Sequence, residues 1–179
     1  MSGVWKLNLE ASTNPHGPKP AAGNAPARGR SGGGGGNDTG VVGGPVQSAE
    51  GGSLGAEEMR RFNASKALFF QAPEMMGLDA TATDFRMLLD PVKKFGYQHK
   101  TDNKKQSVAT PAGPADFKVK WDGNRLRREI ETPETLHIVE EYSLSADGKQ
   151  LIVTIKADSR MVRNVQLGDI KRVYDRQQQ

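Results

Sequence analysis

Between residues 116 and 158 the chain alternates apolar and polar residues, breaks at glycine-containing turns and alternates again. A two-residue period sends successive side chains to opposite faces, so the stretch reads as a half-buried antiparallel meander. Its turns set the register. Asp147-Gly148 suits a two-residue type I′ turn, in which both central residues take positive φ. A hairpin centred there pairs Leu144 with Leu151, Tyr142 with Val153, Glu140 with Ile155 and Ile138 with Ala157. A second turn at Gly123-Asn124 pairs Trp121 with Leu126, Val119 with Arg128 and Phe117 with Ile130. Both registers collect the large apolar residues on one face, which a one-residue slip would scatter over two. The opposite face, from Lys118 and Lys120 to Glu141 and Lys156, is charged and belongs in water.

The rest of the chain adds to this meander. Residues 3–9 alternate with Trp5, Leu7 and Leu9 on one side, which reads as a first strand. The first 55 residues hold 15 of the 21 glycines. Such a segment cannot offset its ordering entropy by burying apolar surface, so residues 11–55 read as a disordered Gly/Pro-rich insertion in a long loop. Residues 56–71 read as a helix, with Glu57 and Glu58 suiting its N-terminal dipole. Met59, Phe62, Lys66 and Phe69/Phe70 lie near one stripe, fit to cover an open barrel end, and Ala72-Pro73 stops the helix. Short strands are expected over 78–83, 85–89 and 97–101, and a last one over 170–175. The organisation expected is therefore a first strand in 1–10, the insertion in 11–55, and the helix with the remaining strands in 56–179. The fold class is mainly β: an antiparallel up-and-down barrel or strongly curved sheet of about eight or nine strands with one helix.

Several functions are disfavoured. The chain has no cysteine, hence no disulfide framework or thiolate metal site. From residue 56 onward 21 basic and 18 acidic residues interleave, unlike the clustered basic face that nucleic acid requires. No apolar run approaches the roughly 20 residues that span a bilayer. His16 lies in the insertion, and His99 and His137 lie on separate strands, so neither a metal nor another cofactor is expected. Glu140 and Glu141 are adjacent, point to opposite faces, and do not form an acid–base pair. Gly51-Gly52-Ser53-Leu54-Gly55 matches a hydrolase nucleophile elbow, but no strand–helix alternation surrounds it. Ser53 is expected to cap the helix instead.

Four motifs occur in order: Gly3-x-Trp5, Trp121-x-Gly123-x-x-Leu126, Glu141-Tyr142-x-Leu144-Ser145-x-Asp147-Gly148-Lys149-x-Leu151, and a closing Arg172-Val173-Tyr174-Asp175-Arg176. In these the chain resembles a group of small exported bacterial lipocalin-like β-barrel proteins, over residues 3–10 and 66–176. The resemblance implies a calyx-like barrel and a periplasmic or secreted location, and carries no established activity over. The absence of a leader before the first strand suits a mature exported protein. Lipocalins also lay an arginine of the last strand over a Gly-x-Trp indole of the first, roles that Arg172 and Trp5 would fill. Intracellular lipid-binding proteins end in an Arg-x-Tyr that holds a fatty-acid carboxylate, and Arg172-Val173-Tyr174 is similar.

Three residues on the inward face do not suit an apolar core: Arg128, Glu140 and Arg172. Buried charges need partners. Either an internal Arg–Glu pair or exposure at the rim satisfies them, or one arginine remains, with the Tyr174 hydroxyl, to hold an anionic head group. The candidate ligand-binding residues are Arg172, Tyr174, Arg128 and Glu140, and the candidate closure pair is Trp5 with Arg172. The expected function is non-enzymatic: a barrel holding a small apolar or amphipathic ligand. The alternative is a filled barrel acting as a protein-interaction or envelope-associated structural module. Interior volume separates the two, since ligand pockets run to roughly 300 Å³ or more.

Overall fold

The computed structural model describes residues 1–17, 55–90, 95–133, 136–159 and 170–177. Most of the expected insertion, and Ser53 with its expected capping role, lie outside the described residues. In chain order the elements are β1 (Ser2–Thr13), α1 (Ala56–Phe70), β2 (Met75–Ala80), β3 (Asp84–Asp90), β4 (Phe95–Lys100), β5 (Gln106–Thr110), β6 (Gly113–Asp122), β7 (Arg125–Glu131), β8 (Leu136–Leu144), β9 (Gln150–Ser159) and β10 (Ile170–Gln177). The strands form an antiparallel sheet in the order β4-β3-β2-β1-β10-β9-β8-β7-β6-β5. It curls into a nearly closed barrel whose two edges are β4 and β5.

Both expected hairpin registers are present, residue for residue. Their inward side chains, from Phe117 and Val119 to Val153 and Ile155, are buried in one core. Gly123 (φ 60) occupies the first central position of a two-residue loop, where a type II′ turn needs glycine. The type I′ expectation at Asp147-Gly148 is not met. There only Gly148 has positive φ (68), and the loop closes one residue pair earlier, with Ser145 N donating to Gln150 O at 2.9 Å. The Asp147 carboxylate accepts from Ser145 Oγ at 2.6 Å and Lys149 N at 3.1 Å, local bonds that favour the longer turn. A four-residue loop centred on the same point leaves the register unchanged.

β5 was not expected as a strand. It is short, lies at an edge, and pairs with the proline- and glycine-bearing start of β6, which mask its pattern. Across the seam beside it, side chains and single bonds replace a ladder. The Gln106 amide accepts from Lys100 N at 2.9 Å and donates to Lys100 O at 3.0 Å. Asn103 N donates to Val119 O at 2.9 Å, and Trp121 Nε1 donates to Thr81 O at 2.7 Å.

β1 runs past the expected boundary at residue 10 to Thr13. It pairs with both β2 and β10, as closure requires. Its partner shifts from Asn8↔Val173 to Thr13↔Lys171, a break in register beside which Leu9 is 62 % exposed where an inward position was expected. The closure pair also differs from expectation. Trp5 stands opposite Arg176, whose guanidinium carbon lies 4.8 Å from the indole centroid. Arg172 is four residues away, about 13 Å along a strand, and is out of reach.

α1 begins at Ala56, with Glu58 Oε2 accepting from Gly55 N at 3.0 Å. Its buried residues are Phe62, Ser65, Phe69 and Phe70, while Met59 of the expected stripe is largely exposed. The helix thus docks by its C-terminal part, where Phe69 meets Phe117 edge-on at 6.3 Å. Because the stacked cation at Trp5 is Arg176, Arg176→Ala should lower unfolding stability in urea by about 0.5–1 kcal/mol, the exposed-site value of a cation–π contact. An unchanged midpoint would show the stacking to be energetically idle.

Candidate functional site

β7 and β8 set Arg128 directly opposite Glu140 on the inward face, and each is only 2 % exposed. Arg128 Nε donates to Glu140 Oε2 at 2.8 Å, and Nη2 lies 2.7 Å from the same oxygen. Tyr142, two residues along β8 and so on the same face, donates its hydroxyl to that oxygen too. Burial pushes the Glu140 carboxyl up. The Arg128 charge and hydrogen bond, the Tyr142 hydroxyl and the charge of Arg172 outweigh it and hold Glu140 below its ordinary value, hence ionised. Burial likewise opposes the Arg128 cation, and Glu140 more than restores it. Burial also raises Tyr142 well above the usual phenol range, so it remains a donor.

Around the guanidinium, aromatic rings stand where water would be. Its carbon lies 5.5 Å from the Tyr97 ring, 5.7 Å from Phe85 and 5.8 Å from Phe117. Arg128 Nη1 has no hydrogen-bond partner among the described residues. His99, also 2 % exposed, stacks on Phe117 at 4.5 Å and lies parallel to Phe85 and Tyr97. Neither of its ring nitrogens has a partner among the described residues. Burial, and then the Arg128 charge, push it down to about 4.

Arg172 points inward as expected, in one row with Val153 and Tyr142. Its guanidinium is not free. Nε donates to Pro15 O at 2.8 Å, and Nη2 donates to Phe70 O at 2.7 Å with Phe69 O at 3.5 Å. The last carbonyls of a helix have no partner inside it, so they capture the nearest strong donor. Tyr174 is buried beside it, which pushes its hydroxyl up to about 12.

Arg128, Glu140, Tyr142, Arg172 and Tyr174 share the wall of one interior cavity with Leu68, Phe69, Met76, Met87, Leu89 and Tyr97. The structure therefore brings all four candidate ligand-binding residues together. The cavity measures about 20 Å³, room for about one water molecule. Two arginines against one glutamate leave its wall net positive. Tyr142, His99 and Arg176 were not among the candidates. Tyr142 was readable as Glu140's neighbour on one face, and His99 alternates inward with Tyr97.

No protein-family model matches the sequence, and no curated protein sequence matches it. Solved structures match in fold. A mutant of the fluorescent protein UnaG gives a TM-score of 0.50 at 10% identity over 100% of this chain and 97% of that one. A mutant of the REP1-NXSQ fatty acid transporter gives 0.50 at 10% identity, over 98% and 96%. Lipid binding protein 8 of Caenorhabditis elegans gives 0.49 at 11% identity, over 98% and 94%. At such identity the two that reach 0.50 establish a shared barrel fold.

Two stability predictions follow from the buried charges. Glu140→Leu or Arg128→Met alone strands a buried partner and should cost about 3–5 kcal/mol, whereas the double variant should recover most of it. A denaturant double-mutant cycle without such coupling would refute the pairing. His99 binds its proton only near pH 4 when folded, against about 6.5 unfolded. Stability is therefore intact above pH 6.5 and falls as pH drops toward 4, by about 3 kcal/mol. His99→Phe should flatten urea midpoints across that window.

Proposed function

We propose that the protein is a non-enzymatic barrel that binds a small amphipathic ligand with an anionic head group. The observation that carries this reading is the buried, net-positive cluster of Arg128, Glu140 and Arg172 on a cavity wall, with Arg128 Nη1 unpartnered. A solved structure of similar fold is named for fatty acid transport, which supports an acyl chain as the apolar part. The present cavity must grow to admit one. Leu68, Met76, Met87 and Leu89 are unbranched at Cβ, and methionine in particular adapts to irregular contents. We also propose a periplasmic or secreted location, which the motif resemblance to exported bacterial barrels supports. Titration with the fluorescent fatty acid cis-parinarate should give saturable binding that dodecanoate displaces. In the Arg128→Met/Glu140→Leu double variant, which keeps the pair's volume, binding should weaken by about tenfold. Absence of saturable binding to the wild-type chain would instead favour the filled-barrel reading, a protein-interaction or envelope-associated module, which the cavity of about 20 Å³ supports.

A further inference from the structure

The chain leaves the sheet after β1 and returns to it after α1, and both points meet at one side chain. Arg172 Nε holds the carbonyl of Pro15, two residues beyond β1. Arg172 Nη2 holds the carbonyl of Phe70, the last residue of α1, with that of Phe69 beside it. Gly17 (φ 79) completes the contact: a Cβ there would lie 3.4 Å from Phe70 Cβ and 3.8 Å from Ile170 Cδ1. The last turn of α1 contains no basic residue, so the cation that suits its dipole comes from β10. Arg172 also lines the cavity with Glu140 and Tyr142, and Leu68 and Phe69 of that last turn line it too.

We propose that Arg172 is a clasp: it holds the end of α1 and residue 15 against β10 until an anionic head group in the cavity draws the guanidinium off those carbonyls and frees the helix end. This rests on the ligand-binding reading above. The chemistry favours the exchange, because a carboxylate carries a full negative charge and accepts two parallel bonds from one guanidinium, which a single neutral carbonyl does not. The consequence is geometric. Releasing the carbonyls of Phe69 and Phe70 leaves them unpaired and frays the turn that carries Leu68 and Phe69. Loss of the clasp and enlargement of the cavity are then one movement. A ligand of equal length with a neutral head group offers Arg172 only one more neutral acceptor in place of the carbonyls it already holds.

Hydrogen exchange on the full chain, read by mass spectrometry alone, with dodecanoate and with dodecanol, tests the clasp, while cis-parinarate displacement reports binding separately. Dodecanoate should speed exchange in the last turn of α1 by about tenfold while the β8–β9 hairpin stays protected. Dodecanol should not. Arg172→Gln should show the fast exchange without ligand, and dodecanoate should add nothing further. Arg172→Lys keeps the charge but cannot reach three carbonyls from one ammonium, so it should fall between. Dodecanoate that displaces the probe yet leaves α1 unchanged would overturn the clasp and leave the carrier reading standing. No displacement at all would overturn both. Unchanged α1 exchange in the folded Arg172→Gln or Arg172→Lys chain would also overturn the clasp, whatever binds.

Discussion

The ion pair between Arg128 and Glu140 sets conditions that its surroundings have to meet. Moving either charge out of water costs several kcal/mol, and attraction offsets that only at close range with the remaining donors and acceptors satisfied. Directly opposed positions on β7 and β8 supply the range. Tyr142 supplies a further donor to the carboxylate, and three ring faces supply a polarisable shell for the guanidinium. The pair also restricts register. A slip of one residue would send Arg128 and Glu140 to opposite faces, and a slip of two would set Glu140 against Leu126 or Ile130 and Arg128 against Ile138 or Tyr142. An all-apolar row would distinguish these alternatives far less sharply, so the charges exchange some stability for a defined pairing.

The seam between β4 and β5 explains the rest of the cluster. Without a backbone ladder there, the barrel wall is held by the Gln106 amide and by bonds from the β4 side to β6. Inside the seam, His99 and Tyr97 of β4 meet Phe117 of β6, with ring centroids 4.5 and 5.9 Å apart. His99 serves there as a flat aromatic surface. Its nitrogens are tolerated because the neutral imidazole forgoes hydrogen bonds but retains its stacking. Acid removes that tolerance, since a further cation would then stand close to Arg128.

The hairpins were legible because their turns and their apolar alternation agree, and either alone would have left the register ambiguous. That is why the Asp147 turn could be assigned the wrong type without moving a single pair. The closure pair failed for the opposite reason. Trp5 and the arginines of β10 lie on the correct face, but choosing between Arg172 and Arg176 needs the offset between two distant strands. The break in register after Asn8 conceals that offset from any period-two reading. The helix shows a similar limit. Its stripe predicted contacts for Met59, yet docking at the C-terminal part leaves Met59 exposed and buries Ser65. What a helix end touches is decided by tertiary partners, here Arg172.

The interior chemistry and the interior volume point in different directions, and Arg172 is where they can be reconciled. In a barrel built only to be full, a second buried arginine serves as the cap of α1 and nothing more, since Glu140 is already paired. A barrel built as a rigid calyx would show a standing cavity near 300 Å³, and this one has about 20 Å³. Arg172 satisfies both facts if its charge serves two sets of acceptors in turn. While bound to the carbonyls of α1 it keeps the helix against the cavity, which accounts for the small volume. Its net charge beside Arg128 and Glu140 remains uncancelled by any acid in the wall, which gives an incoming anion its advantage over those neutral carbonyls.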